Sequence, residues 1–143
     1  MSAALGDRPR PVPSSLTEEF WEAARREVLV RPVCRECGTN FFTPQIACPN
    51  CLSTDWAYEP SSGLGVVYSA AIVHRPPFPG VEVPFEIATV DLDEGWSMLT
   101  NLLDPGVEST PIGTPVEVAW VPLDDRITLP AFRRRETGGE GSA

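Results

Sequence analysis

A mainly β fold preceded by one helix follows from three features of this sequence. Five short segments rich in β-branched and aromatic residues succeed one another between residues 65 and 134, each bounded by Gly, Pro or Asp. One stretch, LTEEFWEAARREV, spaces Leu16, Phe20 and Ala24 four apart, the period of an amphipathic helix. Every cysteine of the chain lies between residues 34 and 51.

The elements can be taken in order. Residues 1–14 carry Pro9, Pro11 and Pro13 in alternation, which predicts a flexible or extended arm. A helix is expected from about residue 16 to 27. Ser15 stands three residues before Glu18, the capping-box spacing, with glutamates in the first turn and arginines in the last. Together with the cysteine segment this forms a unit over residues 15–60. The second unit, 61–135, starts with a strand at 65–75, GVVYSAAIVHR, followed by the rigid loop PPFPGVEVP. Strands at 85–95 and 96–104 make a hairpin turning at Asp93, Glu94 and Gly95. PGVESTPIG is a loop, 115–123 a fourth strand, Asp124 and Asp125 a turn, and 127–134 a fifth strand. Residues 136–143, ETGGEGSA, read as a disordered tail. Five short antiparallel strands are too few for an ordinary sandwich. They suit a small closed barrel, and the OB-fold is the common five-stranded solution.

The cysteines form two Cys-x-x-Cys pairs, Cys34/Cys37 and Cys48/Cys51, separated by GTNFFTPQIA. Each pair aims two sulfurs at one point, and Gly38 permits the left-handed backbone such a turn requires. The spacer is long enough for a small hairpin that brings the turns together, which is a zinc ribbon. Two disulfides, a redox dithiol or a rubredoxin-type iron site are the alternatives. A redox pair would need only two thiols and a βαβ context that is missing here. With all four thiolates on one structural zinc ion, no coordination position is left for chemistry.

Catalytic groups are scarce. His74 is the only histidine, at a strand end; Asp91, Asp93 and Glu94 cluster near a hairpin tip; GLG at 63–65 is too short to cradle a pyrophosphate. The chain does not look like an enzyme by itself. Its net charge of −9 argues against nucleic acid as a partner, and FEIATVDLDEGWSMLTNLLD contains no Arg or Lys. No apolar run is long enough to cross a bilayer, and the N-terminus lacks the apolar core of a secretory signal, so a cytoplasmic location is expected. Arg133, Arg134 and Arg135 form the single basic run, either a solvated strand end or a contact for a phosphate or an acidic partner surface. The first barrel strand is apolar on both faces, Val66, Tyr68, Ala70 and Ile72 on one and Val67, Ala71 and Val73 on the other. A barrel strand facing water should alternate, so the row of Val67, Ala71 and Val73 is expected to be covered, by the chain's own helix or ribbon or by another protein.

The order of parts resembles one family. EEFWEAARR, CRECG, CPNC, GLGVVYSAAIVHR, VPFEIATVDLDEG, PIGTPVEVAW and LPAFRR together resemble the acyl-CoA-associated zinc-ribbon and OB-fold proteins, labelled domain of unknown function thirty-five, over residues 16–135. The resemblance implies a zinc ion on Cys34, Cys37, Cys48 and Cys51. It also implies an accessory subunit, not an enzyme, that stabilises a thiolase-superfamily partner and shapes a path for CoA thioesters. Similar actinobacterial domains partner sterol-carrier-type thiolase homologues that act as retro-aldolases on steroid side chains, and some are fused to a hydratase. A heterotetramer is expected by analogy with dimeric thiolases. Arg133, Arg134 and Arg135 would then meet CoA phosphates or the partner. The alternatives are a free-standing acyl-CoA-binding protein and, less favoured by the charge, a nucleic-acid binder.

Overall fold

The computed structural model describes residues 8–136; the proposed tail, apart from Glu136, and the first seven residues of the arm lie outside the described residues. The helix α1 spans Glu18–Arg25 and buries Phe20, Ala23 and Ala24. It is shorter than its apolar period suggests, because both ends are fixed by local hydrogen bonds. At its start the Ser14 carbonyl accepts from the Thr17 and Glu18 amides, at 3.0 and 2.8 Å, so Ser14 organises the turn instead of Ser15. At its end the Glu27 amide bonds to Ala24 and the Val28 amide to Ala23, both at 2.9 Å. Glu27 takes φ 61° to allow this Schellman closure.

Strands β1 (Val30–Cys34) and β2 (Trp56–Pro60) pair antiparallel, from Val30 opposite Pro60 to Cys34 opposite Trp56. The ribbon is thus built from the segments flanking the two cysteine turns. In place of the expected hairpin inside the spacer there is one bridge, between Val33 of β1 and Asn40 of the spacer. The spacer's aromatics serve two cores: Phe41 packs with Cys34 and Cys48 against Trp56, while Phe42 turns the other way, toward Phe20 and Trp96.

The remaining strands are β3 (Leu64–Val73), β4 (Phe85–Leu92), β5 (Trp96–Leu102), β6 (Pro115–Pro122) and β7 (Thr128–Arg134). They close as a barrel in the order β3-β4-β5-β7-β6, with β6 returning to β3. This is the five-stranded OB topology, mostly β as expected. One pairing departs from the antiparallel expectation: β5 and β7 run parallel, touching at Leu102 and Phe132. Closure demands it, since an odd number of strands around a ring cannot all alternate in direction. Gly63, at φ 77°, and Gly65 carry β3 through the crossing, where a Cβ at Gly65 would run into the Asp91 carbonyl.

A bulge between Val67 and Ser69 changes which residues of β3 face inward. Val67 is buried in the barrel core, so it is not part of an outward row; Val66 and Tyr68 are exposed beside it, and Ala71 is exposed beyond the bulge. A strict two-residue alternation through the bulge wrongly groups Val67 with Ala71 and Val73.

The core is shared rather than divided. Phe20 and Ala23 from α1, Leu29 and Val30 from the ribbon side, and Val67, Val90, Trp96 and Phe132 from the barrel form one cluster. Tyr58 of the ribbon ties back to the helix entry, its hydroxyl donating to the Leu16 carbonyl at 2.7 Å. Burial, reinforced by the charge of Glu19, pushes that phenol up to about 12.

The proline-bearing arm is not loose where it is described. Arg8 donates to Asn101 Oδ1 at 3.0 Å, and Arg10 reaches Asp124 and the Leu123 carbonyl. Spaced prolines favour an extended backbone, and the arginines between them supply its attachments.

Candidate metal centre and surrounding surfaces

The four sulfurs of Cys34, Cys37, Cys48 and Cys51 lie within 4.8 Å of one another. Cys34 Sγ is 3.5 Å from Cys51 Sγ, and Cys37 Sγ is 3.7 Å from Cys48 Sγ. Four sulfurs at ~2.3 Å from a tetrahedral ion stand roughly 3.8 Å apart. The cluster therefore has the dimensions of a closed tetrathiolate zinc site. The separations are too long for disulfides, and the cysteines are free.

Backbone amides aim at the sulfurs from both turns. Glu36 and Cys37 donate to Cys34 Sγ at 3.3 and 3.5 Å, and Asn50 donates to Cys48 Sγ at 3.3 Å. Hydrogen bonds from the Asn50 and Thr39 side chains hold the Cys37 thiol down at about 6. At Cys51 the Ser53 amide favours the thiolate, but burial and the sulfurs of Cys34, Cys37 and Cys48 outweigh it and push the thiol up to about 12. Neighbouring thiolates repel, so a divalent cation is what allows all four to ionise together.

The arginine run is divided among different tasks. Arg133 pairs with Glu117 at 2.9 Å. Arg134 donates to Thr110 Oγ1 at 2.7 Å and lies 3.9 Å from Glu86. Arg135 is half-buried, with a buried Nε that has no hydrogen-bond partner among the described residues. The run is thus more than a solvated end, and two of its members are engaged within the chain. His74 lies exposed one residue beyond β3.

Two acids carry roles the sequence reading missed. Glu86 is fully buried; its carboxylate accepts from the Thr110 amide at 2.5 Å and from Thr110 Oγ1 at 3.0 Å. It fastens the loop before β6 to the barrel. The signal was present: Glu86 is in phase with Ala88, Val90 and Leu92, all inward-facing. Glu94, placed at a solvated tip by its sequence context, is a junction. Its carboxylate accepts from Ser61 Oγ at 2.6 Å and the Ser62 amide at 2.7 Å, while Asn40 of the ribbon donates to its carbonyl at 3.1 Å. Burial opposes ionisation here, but the Ser61 and Ser62 hydrogen bonds prevail and hold the carboxyl at about 2.

With this geometry in view, residues 21–57 match the family described as ChsH2, rubredoxin-like zinc ribbon domain, and residues 58–121 match ChsH2, C-terminal OB-fold domain. A solved structure, the Ltp2-ChsH2(DUF35) aldolase, superposes with a TM-score of 0.79 at 38% identity, covering 87% of this chain and 98% of that one. The chain belongs to the ChsH2-type DUF35 family. A DUF35 domain-containing scaffold protein of Methanocaldococcus jannaschii is 32% identical over 66% of this chain and 69% of its own length. Two bacterial relatives are longer. A probable enoyl-CoA hydratase alpha subunit of Thermomonospora curvata is 39% identical over 88% of this chain and 40% of its own. A 3-oxo-4,17-pregnadiene-20-carboxyl-CoA hydratase alpha subunit of Mycobacterium tuberculosis is 33% identical over 81% and 37%. The chain therefore spans about two-fifths of the length of these two relatives. The match to a zinc ribbon domain and the clustering of the four cysteines fit one structural zinc ion. Among the described residues no helix is long and apolar enough to cross a membrane.

Proposed function

We propose that this DUF35 chain is a non-catalytic accessory subunit of a thiolase-superfamily enzyme, a retro-aldolase or thiolase, that acts on acyl-CoA thioesters. The observation that carries the reading is the superposition on a ChsH2(DUF35) chain of an aldolase over nearly that chain's whole length. The metal site supports it, because four thiolates leave zinc no open position for substrate. The pregnadiene-carboxyl-CoA hydratase subunit among the relatives favours steroid side-chain thioesters as the substrate class. The partner docks on the outer surface of the barrel at Val66, Tyr68 and Ala71, with Val73 at the margin and Leu99 exposed on β5. Arg133 and Arg135 meet an acidic group of the partner or a CoA phosphate at the end of β7; Arg134 holds the loop behind them. The assembly is a heterotetramer around a dimeric enzyme.

Co-expression with a thiolase-like aldolase that is unstable alone tests this. A complex surviving gel filtration is expected, with aldol cleavage dependent on this chain and weakened by Tyr68→Glu. Independent migration of the two proteins, with partner activity unchanged, overturns it.

A further inference from the structure

We propose that the open edge of β3 at Ser69–Val73 receives an extended apolar segment of the partner enzyme as an added strand, with an acidic residue of that segment meeting Arg75. The inference rests on the accessory-subunit reading and names how the partner is held.

The edge follows from how the barrel closes. β6 pairs with β3 only over Leu64–Val66. The Thr114 carbonyl and the Gly113 amide then occupy Val67, at 3.0 and 2.8 Å. β3 runs on along β4, from Ser69 opposite Thr89 to Val73 opposite Phe85. On its other side, nothing among the described residues pairs with Ser69–Val73. Alternate residues of an antiparallel strand turn their N–H and C=O away from the ladder, so this edge leaves a row of backbone groups without a protein partner.

Folded chains blunt such edges with charge or proline. The ribbon does so: β1 carries Arg31 and Pro32, and β2 carries Glu59 and Pro60. Ser69–Val73, SAAIV, has neither. Ser69 and Ala71 are exposed, and Ala70, Ile72 and Val73 are half-buried. Ala70 and Ile72 stand in register with the inward residues Ala88 and Glu86, while Ala71 and Val73 stand with Ile87 and Phe85 on the outer face. An added strand therefore meets apolar neighbours on both faces, which selects apolar residues at successive positions.

Charge selects where the strand comes from. From Ser61 to Val81 there is no Asp or Glu, although the chain holds 20 acids and a net charge of −9. Arg75 is exposed two residues beyond β3 and has no ion pair among the described residues. A second copy pairing through the same strand would bring no acid to Arg75 and a further net charge of −9. A different polypeptide with an acid at that end fits both the edge and the charge.

The test co-expresses the zinc-loaded chain with the thiolase-like aldolase and compares amide hydrogen exchange in the free chain and in the complex. In the free chain, exchange along Ser69–Val73 should alternate, slow where amides face β4 and fast where they face the edge. In the complex the fast set should slow about a hundredfold. Adjacent amides point to opposite sides, so one of Ala70→Pro and Ala71→Pro removes an edge donor and spares the β4 ladder. That variant should keep its zinc and lose the complex. Arg75→Glu should weaken the complex about tenfold. If the proline variants fail to fold, exchange in the unaltered complex decides. A complex whose edge amides exchange as in the free chain, or one that tolerates the edge proline, overturns the added strand and leaves the accessory-subunit reading standing. Affinity indifferent to Arg75→Glu overturns the acidic contact. Edge amides that slow as the chain alone self-associates assign the edge to a second copy and overturn the proposal too. Failure to form any complex overturns both readings.

Discussion

The ribbon and the barrel occupy one chain and share a core, yet they are stabilised by different physics. The barrel closes over Val67, Val90, Val116, Ala131 and Phe132, all nearly or fully buried. Each of the valines and Phe132 contributes about 1.5–3 kcal/mol by leaving water, and Ala131 rather less. The ribbon's own cluster is Cys34, Phe41 and Cys48, with Trp56 only partly covered. That is too little apolar surface to offset the ordering of some thirty residues at about 1–2 kcal/mol each for the backbone. What remains is the metal. The difference teaches that the ribbon is a conditional element and the barrel an unconditional one, so conditions that spare one should undo the other.

Metal removal should break the pair apart most strongly. Structural zinc contributes on the order of 10 kcal/mol at neutral pH. A strong chelator, or Cys48→Ser at the fully buried sulfur, should abolish hydrogen-exchange protection of the β1 and β2 amides. Amides of β4, β5 and β7 should stay protected at least partly, since Val90, Leu102 and Phe132 need no metal. Protection in β1 and β2 that survives metal loss would contradict this division.

The same contrast governs what the sequence disclosed. The metal site was legible because its chemistry is local: four cysteines at fixed spacing need no knowledge of distant neighbours. The five barrel strands were legible from their own texture and bounding turns. Long-range decisions were not. The bulge that takes Ala71 and Val73 out of phase with Val67 depends on the partner strand, and the parallel contact of Leu102 with Phe132 depends on closing the ring. The attachments of Arg8 and Arg10 join residues some ninety to a hundred and fourteen positions apart, beyond any spacing rule. Glu94 was misread for a related reason: beside Asp91, Asp93 and Gly95 it looks solvated, and only the fold brings Ser61, Ser62 and Asn40 to it.

Glu94 sharpens the comparison because it sits where the two regions meet. Its folded-state carboxyl titrates at about 2, against 4.5 when unperturbed. A depressed pKa means the ionised form is favoured by folding. Its stabilisation is therefore complete above about pH 4.5 and disappears as the pH falls toward 2. Glu94→Gln should be less stable than the parent at neutral pH, with the gap closing across that window. Denaturant unfolding at several pH values measures the gap. Zinc loss in acid affects both proteins, so only the difference between them reports on Glu94. A gap that stays constant from pH 7 to 2 would assign the carboxylate no part in holding the junction.

The smallest expected effect compares the two cysteine turns with each other. In the first, Gly38 follows Cys37 at φ 78° and donates to the Cys34 carbonyl at 3.0 Å. In the second, Leu52 follows Cys51 at φ 69° and donates to the Cys48 carbonyl at 2.9 Å. The backbones are equivalent, but only the first has the residue that adopts this conformation without strain. A left-handed non-glycine residue costs about 1–2 kcal/mol, and Leu52 recovers little by burial because its side chain is 75% exposed. Leu52→Gly relieves that cost and gives back about 0.4–1 kcal/mol through the greater freedom of the unfolded chain. The net expectation is a gain of about 0.5–1 kcal/mol, seen as a small rise in Tm of the zinc-loaded protein. Gly38→Leu should move the other way by a similar amount. The effect belongs to the ribbon alone, so it should vanish once the metal is stripped, while a barrel substitution such as Val90→Ala should remain destabilising with or without zinc.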